Sequence, residues 1–385
     1  TAARVQAADL DWQSRGVLPH PCCKKATPRR IVASTCRLCG VRNARFSPVS
    51  IELGNWHGVC FLRRSVDFNL LQENYQMLNV RQFNTIDALN EIEQTWRELL
   101  SQTHGADFFR TLDWLRVYWQ HFGQQQQLKV LLIEENERPL GILPLLVSRQ
   151  KTRLGSFRVL GFPLDYWGSF YGAVGPHPAA TWRAGMDNIL SESRDWDYLD
   201  LRWLSTAGEE AKLVRDAADH LNCSLVKHDD DEIAVADLSA GWKAYWVSRS
   251  RNWRSNCRRN RKKVEAAGEV EYIRYRPAPD PQGEGDPRWD LFAAVESIAH
   301  RSWQAQSTDG TTLTHDEVSS FLRDVHAAAA RSGNLDLNLL TINGQPAAFN
   351  YNYHYEGYVS SLRLGFDPDF AQIGVGTLLT YRMLE

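Results

Sequence analysis

The chain has 385 residues, 43% of them apolar and 23% charged, with a formal net charge of −2. That balance excludes wholesale disorder and fibrous repeats, and the length is a prior for two or three domains. No run approaches the roughly 18 apolar residues of a membrane span, and Thr1–Leu10 lacks the basic-then-apolar order of a secretory signal, so neither is expected.

The mean conceals two unlike parts. Residues 1–76 hold 11 Lys and Arg against 5 Asp and Glu, and residues 77–385 hold 33 against 41. Five of the seven cysteines, Cys22, Cys23, Cys36, Cys39 and Cys60, also precede residue 61. Cys36-x-x-Cys39, flanked by Cys22/Cys23 and by His57-x-x-Cys60, has metal-ligand spacing but only one clean Cys-x-x-Cys pair. The stronger reading of residues 1–76 is a poorly structured segment without a metal, and we expect the natural protein to begin at Met77. With only Cys223 and Cys257 in the remainder, a reducing, cytoplasmic location is expected.

From Leu78 the pattern sharpens. Leu78–Phe83 alternates as a strand, and Asn84 or Thr85 can cap an amphipathic helix carrying Leu89, Ile92, Trp96, Leu99 and Leu100. Leu128–Leu145 and Leu335–Asn352 repeat one another at an offset of 207 residues, matching Leu128 with Leu335, Leu132 with Leu339, Asn136 with Asn343 and Pro139 with Pro346. Each copy reads as strand, polar turn, strand, and Asn343-Gly344 is a hairpin signal because both positions tolerate positive φ. Two halves follow, residues 77–240 and 241–385.

Between the copies, Ser248–Lys263 (SRSRNWRSNCRRNRKK) is a basic helix. It can pair with the acidic body, present Arg254 and Arg258 from one face to an acidic acceptor, or bind nucleic acid, which the acidity of residues 77–385 argues against. Thr314-His315-Asp316-Glu317 reads as a capping box for the next helix. In the second copy Ala347–Tyr355 alternates, with Asn350, Asn352 and His354 on one face and Tyr351, Tyr353 and Tyr355 on the other. After the Glu356-Gly357 turn and a strand over Tyr358–Phe366, Asp367–Thr377 forms a glycine-containing loop into a helix, a cradle suited to a pyrophosphate. His354 can take a proton from an acceptor, with Tyr358 and Asp367 as comparable candidates. No Ser/His/Asp grouping or metal spacing follows residue 77.

An antiparallel meander leading to this loop resembles the acyl-CoA-binding core of the GNAT fold, and two such halves resemble tandem-GNAT proteins. The order of Phe108–Leu115 with Tyr118-Trp119, Asp165-Tyr166, Arg254–Lys263, Ser302-Trp303 and Phe366–Ala371 is similar to the CelD-like acetyltransferases associated with cellulose or exopolysaccharide synthesis. The Fem-type peptidyltransferases are a more distant likeness. The resemblance implies an α+β fold of two GNAT-like halves, each a mixed, mostly antiparallel sheet flanked by helices. It implies an acyl-CoA donor, acetyl-CoA or another, held by Gln372, Ile373, Gly374, Val375, Gly376 and Thr377. The acceptor would be a small molecule, saccharide or amine, bound by Asp165, Tyr166, Arg254, Arg258 and Trp303. No metal is implied, and only the second half should bind donor. Trp114 and Trp119 can floor the cleft, and Trp303 can pack on the core. Ala371 stands where the usual loop has Arg or Gln, and Gly374-Val375-Gly376 where relatives often end Ser-Pro-Gly. The stop at Glu385, inside the helix after the loop, implies that the fold continues further. The alternatives are a Fem-type transferase using aminoacyl-tRNA and a non-catalytic GNAT scaffold.

Overall fold

Two mixed sheets flanked by helices carry the computed structural model, which describes Leu78–Glu385 apart from residues 154, 192–194, 207, 222, 228–232, 281 and 308–311. It also describes the backbone of two strands, β1 (Arg4–Ala7) and β2 (Val59–Leu62). Met77, Cys22, Cys23, Cys36, Cys39 and His57 lie outside the described residues, as does the Cys60 side chain. The zinc reading and the expected start at Met77 therefore fall there too. The chain divides into two compact units, Thr1–Ala8 with His57–Glu385 and Asp9–Trp56, and every described residue belongs to the first.

The alternating segment forms β3 (Leu78–Phe83), and Thr85 Oγ1 accepts from the Ala88 N–H as its polar side chain suggested. A 3-10 turn and helix α1 (Glu93–Ser101) then bury Leu89, Ile92, Trp96, Leu99 and Leu100. Helix α2 (Leu112–Phe122) starts at Thr111, whose side chain accepts from the Trp114 N–H. The first copy of the repeat is β4 (Gln127–Glu135) and β5 (Arg138–Thr152), followed by β6 (Gly155–Gly161), α3 (Pro178–Ser191), β7 (Tyr198–Asp200), α4 (Glu209–His220), β8 (Ser224–Lys227) and β9 (Ala234–Asp237). A short helix α5 (Trp242–Ser248) precedes the basic stretch, which forms α6 (Arg251–Glu265) capped by Ser250. Then come β10 (Val270–Tyr275), α7 (Trp289–Arg301), α8 (Asp316–Arg331), β11 (Leu335–Ile342), β12 (Gln345–Tyr355), β13 (Tyr358–Phe366) and α9 (Val375–Leu384).

The first sheet runs β3-β4-β5-β6-β7-β2-β8 and the second β10-β11-β12-β13-β1-β9. Within each, the four-strand meander is antiparallel. The repeat is structural down to its irregularities. Turns Asn136-Glu137 and Asn343-Gly344 both have positive φ at both positions. A register shift falls at Ile133/Glu134 in one hairpin and at Leu340/Thr341 in the other, the same place at an offset of 207.

One apolar core joins the halves. Phe108 stacks on Tyr353 at 4.7 Å between centroids, and Trp114 meets Phe321 edge-on at 5.7 Å. Burial of such rings is worth about 1.5–3 kcal/mol each. A separate cluster of Val264, Leu340, Ile342, Ala348, Val375 and Leu378 lies on the other face of the second sheet.

Three expectations are corrected. Trp114 is fully buried and its indole donates to the Pro163 carbonyl at 2.9 Å, so it floors no open cleft. Trp303 is 46% exposed rather than packed in the core. The capping box at Thr314 does not form, because Thr314 Oγ1 donates to the Gln304 carbonyl at 2.9 Å and α8 begins without a side-chain cap.

Candidate functional site

The glycine loop lies where β13 hands over to α9. Asp367 ends the strand buried, its backbone N–H bonding to the Ala347 carbonyl at 2.9 Å. One carboxylate oxygen accepts from the Asp369 N–H at 3.1 Å and the other pairs with Arg301 at 3.0 Å. This capped turn, Pro368–Ile373, delivers the chain to Gly374 in the left-handed region at φ +79°. A Cβ at Gly374 would stand 2.6 Å from the Asn260 side chain, and one at Gly376 would stand 3.2 Å from Phe366 Cδ1. At Gly374 both the positive φ and the close approach favour glycine, whereas at Gly376 the contact alone is tight.

The first helical hydrogen bond of α9 is Leu378 N–H to Gly374 O at 3.1 Å, which leaves the amides of Val375, Gly376 and Thr377 without an intrahelical acceptor. No side chain caps them, and Gly376 and Thr377 are partly exposed. An open helix N-terminus with bare amides is suited to a phosphate. Helix α6 walls the loop, with Lys263 Nζ donating to the Gln372 carbonyl at 3.2 Å.

Upstream, β13 is irregular. Tyr351 pairs with Arg363 and Asn352 with Ser361, so Leu362 is an extra residue and the strand bulges. The corresponding pair β5–β6 runs without a shift. On its other edge β13 pairs with β1 only over Tyr358–Ser361, and Gln304 of the α7–α8 connection donates to the Leu364 carbonyl at 3.0 Å. The bulge, left-handed glycine and uncapped helix thus occur together only in the second half among the described residues. After β6, Gly175 (φ 128°) also precedes a helix, but α3 opens on Pro178, which has no amide N–H to offer.

The structure does not gather the three proposed proton carriers. Asp367 sits at the loop end of β13, while Tyr358 opens the strand nine residues earlier, about 30 Å away at roughly 3.3 Å per residue. His354 lies opposite Val359, near Tyr358. Burial, then the Arg276 charge, pushes the His354 pKa down, and its Nε2 is buried without a hydrogen-bond partner. Nearby, Asp336 is fully buried between Arg274 and Arg276 at 3.1 and 3.0 Å. Burial alone would raise this carboxyl, but the two arginines hold it below its usual value.

The proposed acceptor residues divide in the same way. Asp165 and Tyr166 lie in the first half beyond the parallel β6–β7 pair, where Asp165 (φ 47°) and Trp203 (φ 74°) are both left-handed without being glycine. Tyr118 donates to Asp165 Oδ2 at 2.7 Å, and the half-exposed Tyr166 ring meets Trp203 edge-on at 5.6 Å. Beneath them, burial raises the Asp107 pKa to about 6 despite Arg110, and Asp107 Oδ1 and the Tyr171 hydroxyl have no partner. Trp167, next along this loop, reaches the second half through Phe321 at 4.5 Å and Arg363 at 5.8 Å. Arg254 and Arg258 belong elsewhere. Helix α6 buries Val264 against α9 on the opposite face of the second sheet, so its arginines do not line a cleft between the halves. Trp303 stands beside Arg301 near Asp367.

Asn260 and Lys263, visible in sequence only as members of the basic run, and Arg301 and Gln304, not singled out there, support the loop and the strand before it. For the first two the signal was their i, i+3 spacing, submerged in the charge of the basic run. No group of three or more His, Cys, Asp or Glu suited to a metal occurs among the described residues, and no described helix is long and apolar enough to cross a membrane.

Residues 251–385 match the family described as acetyltransferase (GNAT) domain, which supports acyl transfer as the reaction class of the second half. No curated protein matches the chain. Among solved structures, FemX is similar at 11% identity and a TM-score of 0.46, over 76% of this chain and 83% of that one. A conserved protein of unknown function from Bacteroides thetaiotaomicron VPI-5482 is similar at 11% identity and 0.42, over 80% and 86%. A tandem GNAT protein from the clavulanic acid biosynthesis pathway is similar at 11% and 0.32, over 80% and 84%.

Proposed function

We propose that the second half transfers an acyl group from acyl-CoA to an amine or hydroxyl of a small-molecule or saccharide acceptor, in the cytoplasm and in the manner of the CelD-like proteins. The observation that carries this reading is the uncapped N-terminus of α9 behind Gly374 and Gly376, directly after a bulged strand. The amides of Val375, Gly376 and Thr377 would hold the pyrophosphate, with Gln372 and Ile373 shaping the turn before them. When bound, acyl-CoA supplies an activated thioester.

An arm laid along β13 from the loop passes the bulge at Leu362 before it reaches Tyr358. The bulge breaks the regular ladder, leaving a backbone N–H there to polarise a carbonyl. Asp367, already held by Arg301 and the Asp369 amide, serves as a positioning residue. His354, kept neutral near pH 7 by its lowered pKa, is the base in this reading, with Tyr358 beside it. The acceptor enters from the Asp165–Tyr166 side, where Trp167 brings the first half against Arg363.

Titration with acetyl-CoA and with charged tRNA tests the reading. Saturable acetyl-CoA binding that Gly376→Trp abolishes, with the circular dichroism spectrum unchanged, is the expected result. Binding of charged tRNA alone would replace the donor, and binding of neither would leave a scaffold. His354→Gln should lower kcat and remove the acidic limb of its pH profile without changing the acetyl-CoA Kd.

A further inference from the structure

A second concavity lies among α5, α6 and α9. It encloses about 300 Å³ and is lined by Trp242, Lys243, Trp246, Cys257, Arg258, Arg261 and Tyr381. Three rings wall it. Trp242 and Trp246 stand 5.1 and 5.3 Å from Tyr381, tilted at 61° and 54°, and are only half-buried. The cations are of two kinds. Arg261 pairs with Glu265 at 2.7 Å. Lys243 and Arg258 have no carboxylate partner among the described residues, and Arg258 lies over the Trp246 ring at 5.6 Å. Aromatic faces beside available cations are a recognition surface for a planar base carrying phosphate.

Its position gives that chemistry an owner. Tyr381 follows Val375 by six residues, so the cleft begins about 9 Å along α9 from the bare amides at its N-terminus. Helix α6 spans both places, with Asn260 and Lys263 at the loop and Cys257, Arg258 and Arg261 at the cleft. A ligand with its pyrophosphate on the amides would extend one ribose and one purine toward the rings.

We propose that this cleft holds the nucleotide end of the donor, with adenine against Trp242, Trp246 and Tyr381 and the ribose 3′-phosphate on Arg258 and Lys243. The assignment rests on the acyl-CoA reading and adds to it a reason for the basic helix. Arg258 grips the donor here, where the sequence pattern had suggested the acceptor.

Calorimetric titration of the full chain with CoA, dephospho-CoA and 4′-phosphopantetheine separates the two levels. The unaltered protein should prefer CoA to dephospho-CoA by about tenfold or more, the worth of charge-assisted contacts to one phosphate. Arg258→Gln should bring that ratio close to one and leave 4′-phosphopantetheine binding unchanged. Trp246→Leu, with Trp246→Phe as the fold-preserving control, should weaken CoA and dephospho-CoA alike by about tenfold through lost stacking. Equal affinity of the unaltered protein for CoA and dephospho-CoA, or a ratio untouched by Arg258→Gln, would overturn the nucleotide assignment while the glycine-loop reading stands. Failure of all three compounds to bind would overturn both.

Discussion

Gly374 is the position at which the site's backbone can be tested most directly. Its φ of +79° costs a residue with a Cβ about 1–2 kcal/mol. The added methyl would also sit 2.6 Å from the Asn260 side chain, and overpacking of this kind costs about 1–3 kcal/mol. Gly374→Ala should therefore destabilise the protein by about 2–5 kcal/mol, measured from urea unfolding midpoints with an unchanged m-value. The two contributions separate in a double-mutant cycle. Asn260→Ala removes the clash but not the backbone term, so the double variant should recover about 1–3 kcal/mol relative to additivity. Donor binding offers a second readout, because a loop forced off its path misaligns the amides even where the chain folds. A loss below about 1 kcal/mol for Gly374→Ala, or strict additivity with Asn260→Ala, would show that the loop does not enter α9 through a left-handed glycine pressed against α6.

Other consequences follow from particular residues. Glu137 occupies a left-handed position (φ 65°) that Gly344 fills in the second hairpin, so Glu137→Gly should stabilise by roughly 0.5–1 kcal/mol in thermal melts, relief of strain exceeding the entropy of glycine. His326 is fully buried, with Nδ1 2.9 Å from the Tyr351 hydroxyl and Nε2 2.5 Å from the Pro287 carbonyl. Burial drops its pKa from 6.5 to about 4. The unfolded chain therefore binds this proton first as pH falls, and stability should decline by about 3 kcal/mol between pH 6.5 and 4. His326→Gln should flatten that limb of the urea-unfolding profile, and an unaltered slope would place the acid sensitivity elsewhere.

Much of the fold was written in local pattern. The 207-residue repeat predicted both hairpins because turn chemistry and strand alternation are short-range, and the shared register shifts show that it reflects a common backbone. Asn350 and Asn352 fell on one face and Tyr351 and Tyr353 on the other, as alternation requires, with Asn352 Nδ2 3.1 Å from Met383 Sδ of α9. What escaped was whatever depends on strands and helices meeting. The bulge at Leu362 has no residue signature. The basic helix was legible as a helix, but its docking on α9 comes from Val264 and Cys257, two apolar positions hidden among seven cationic ones. Trp303 and Trp114 were misplaced because ring size alone does not tell a buried indole from an exposed one.

The two copies also explain why one half alone carries the proposed chemistry. At the shared offset, Leu143 and Leu145 of β5 become Asn350 and Asn352 of β12, and all four side chains are buried. The first half thus closes its sheet against α3 with an apolar layer, Leu143 lying against Gly185. The second spends that layer on amides, including the unpartnered Asn352 Oδ1, and on the unpartnered Nε2 of His354. An orphaned buried polar atom costs about 1–3 kcal/mol, and bulged strands and left-handed turns add to the cost. A lone second half would carry these penalties with a small core. Phe108, Phe109, Trp114 and Trp167 of the first half instead pack onto Tyr353, Phe321 and Arg363, extending one core under the sheet that holds the site. In this arrangement the first copy has kept the stability of the scaffold, and the second has exchanged part of its own for a polar, open-ended site.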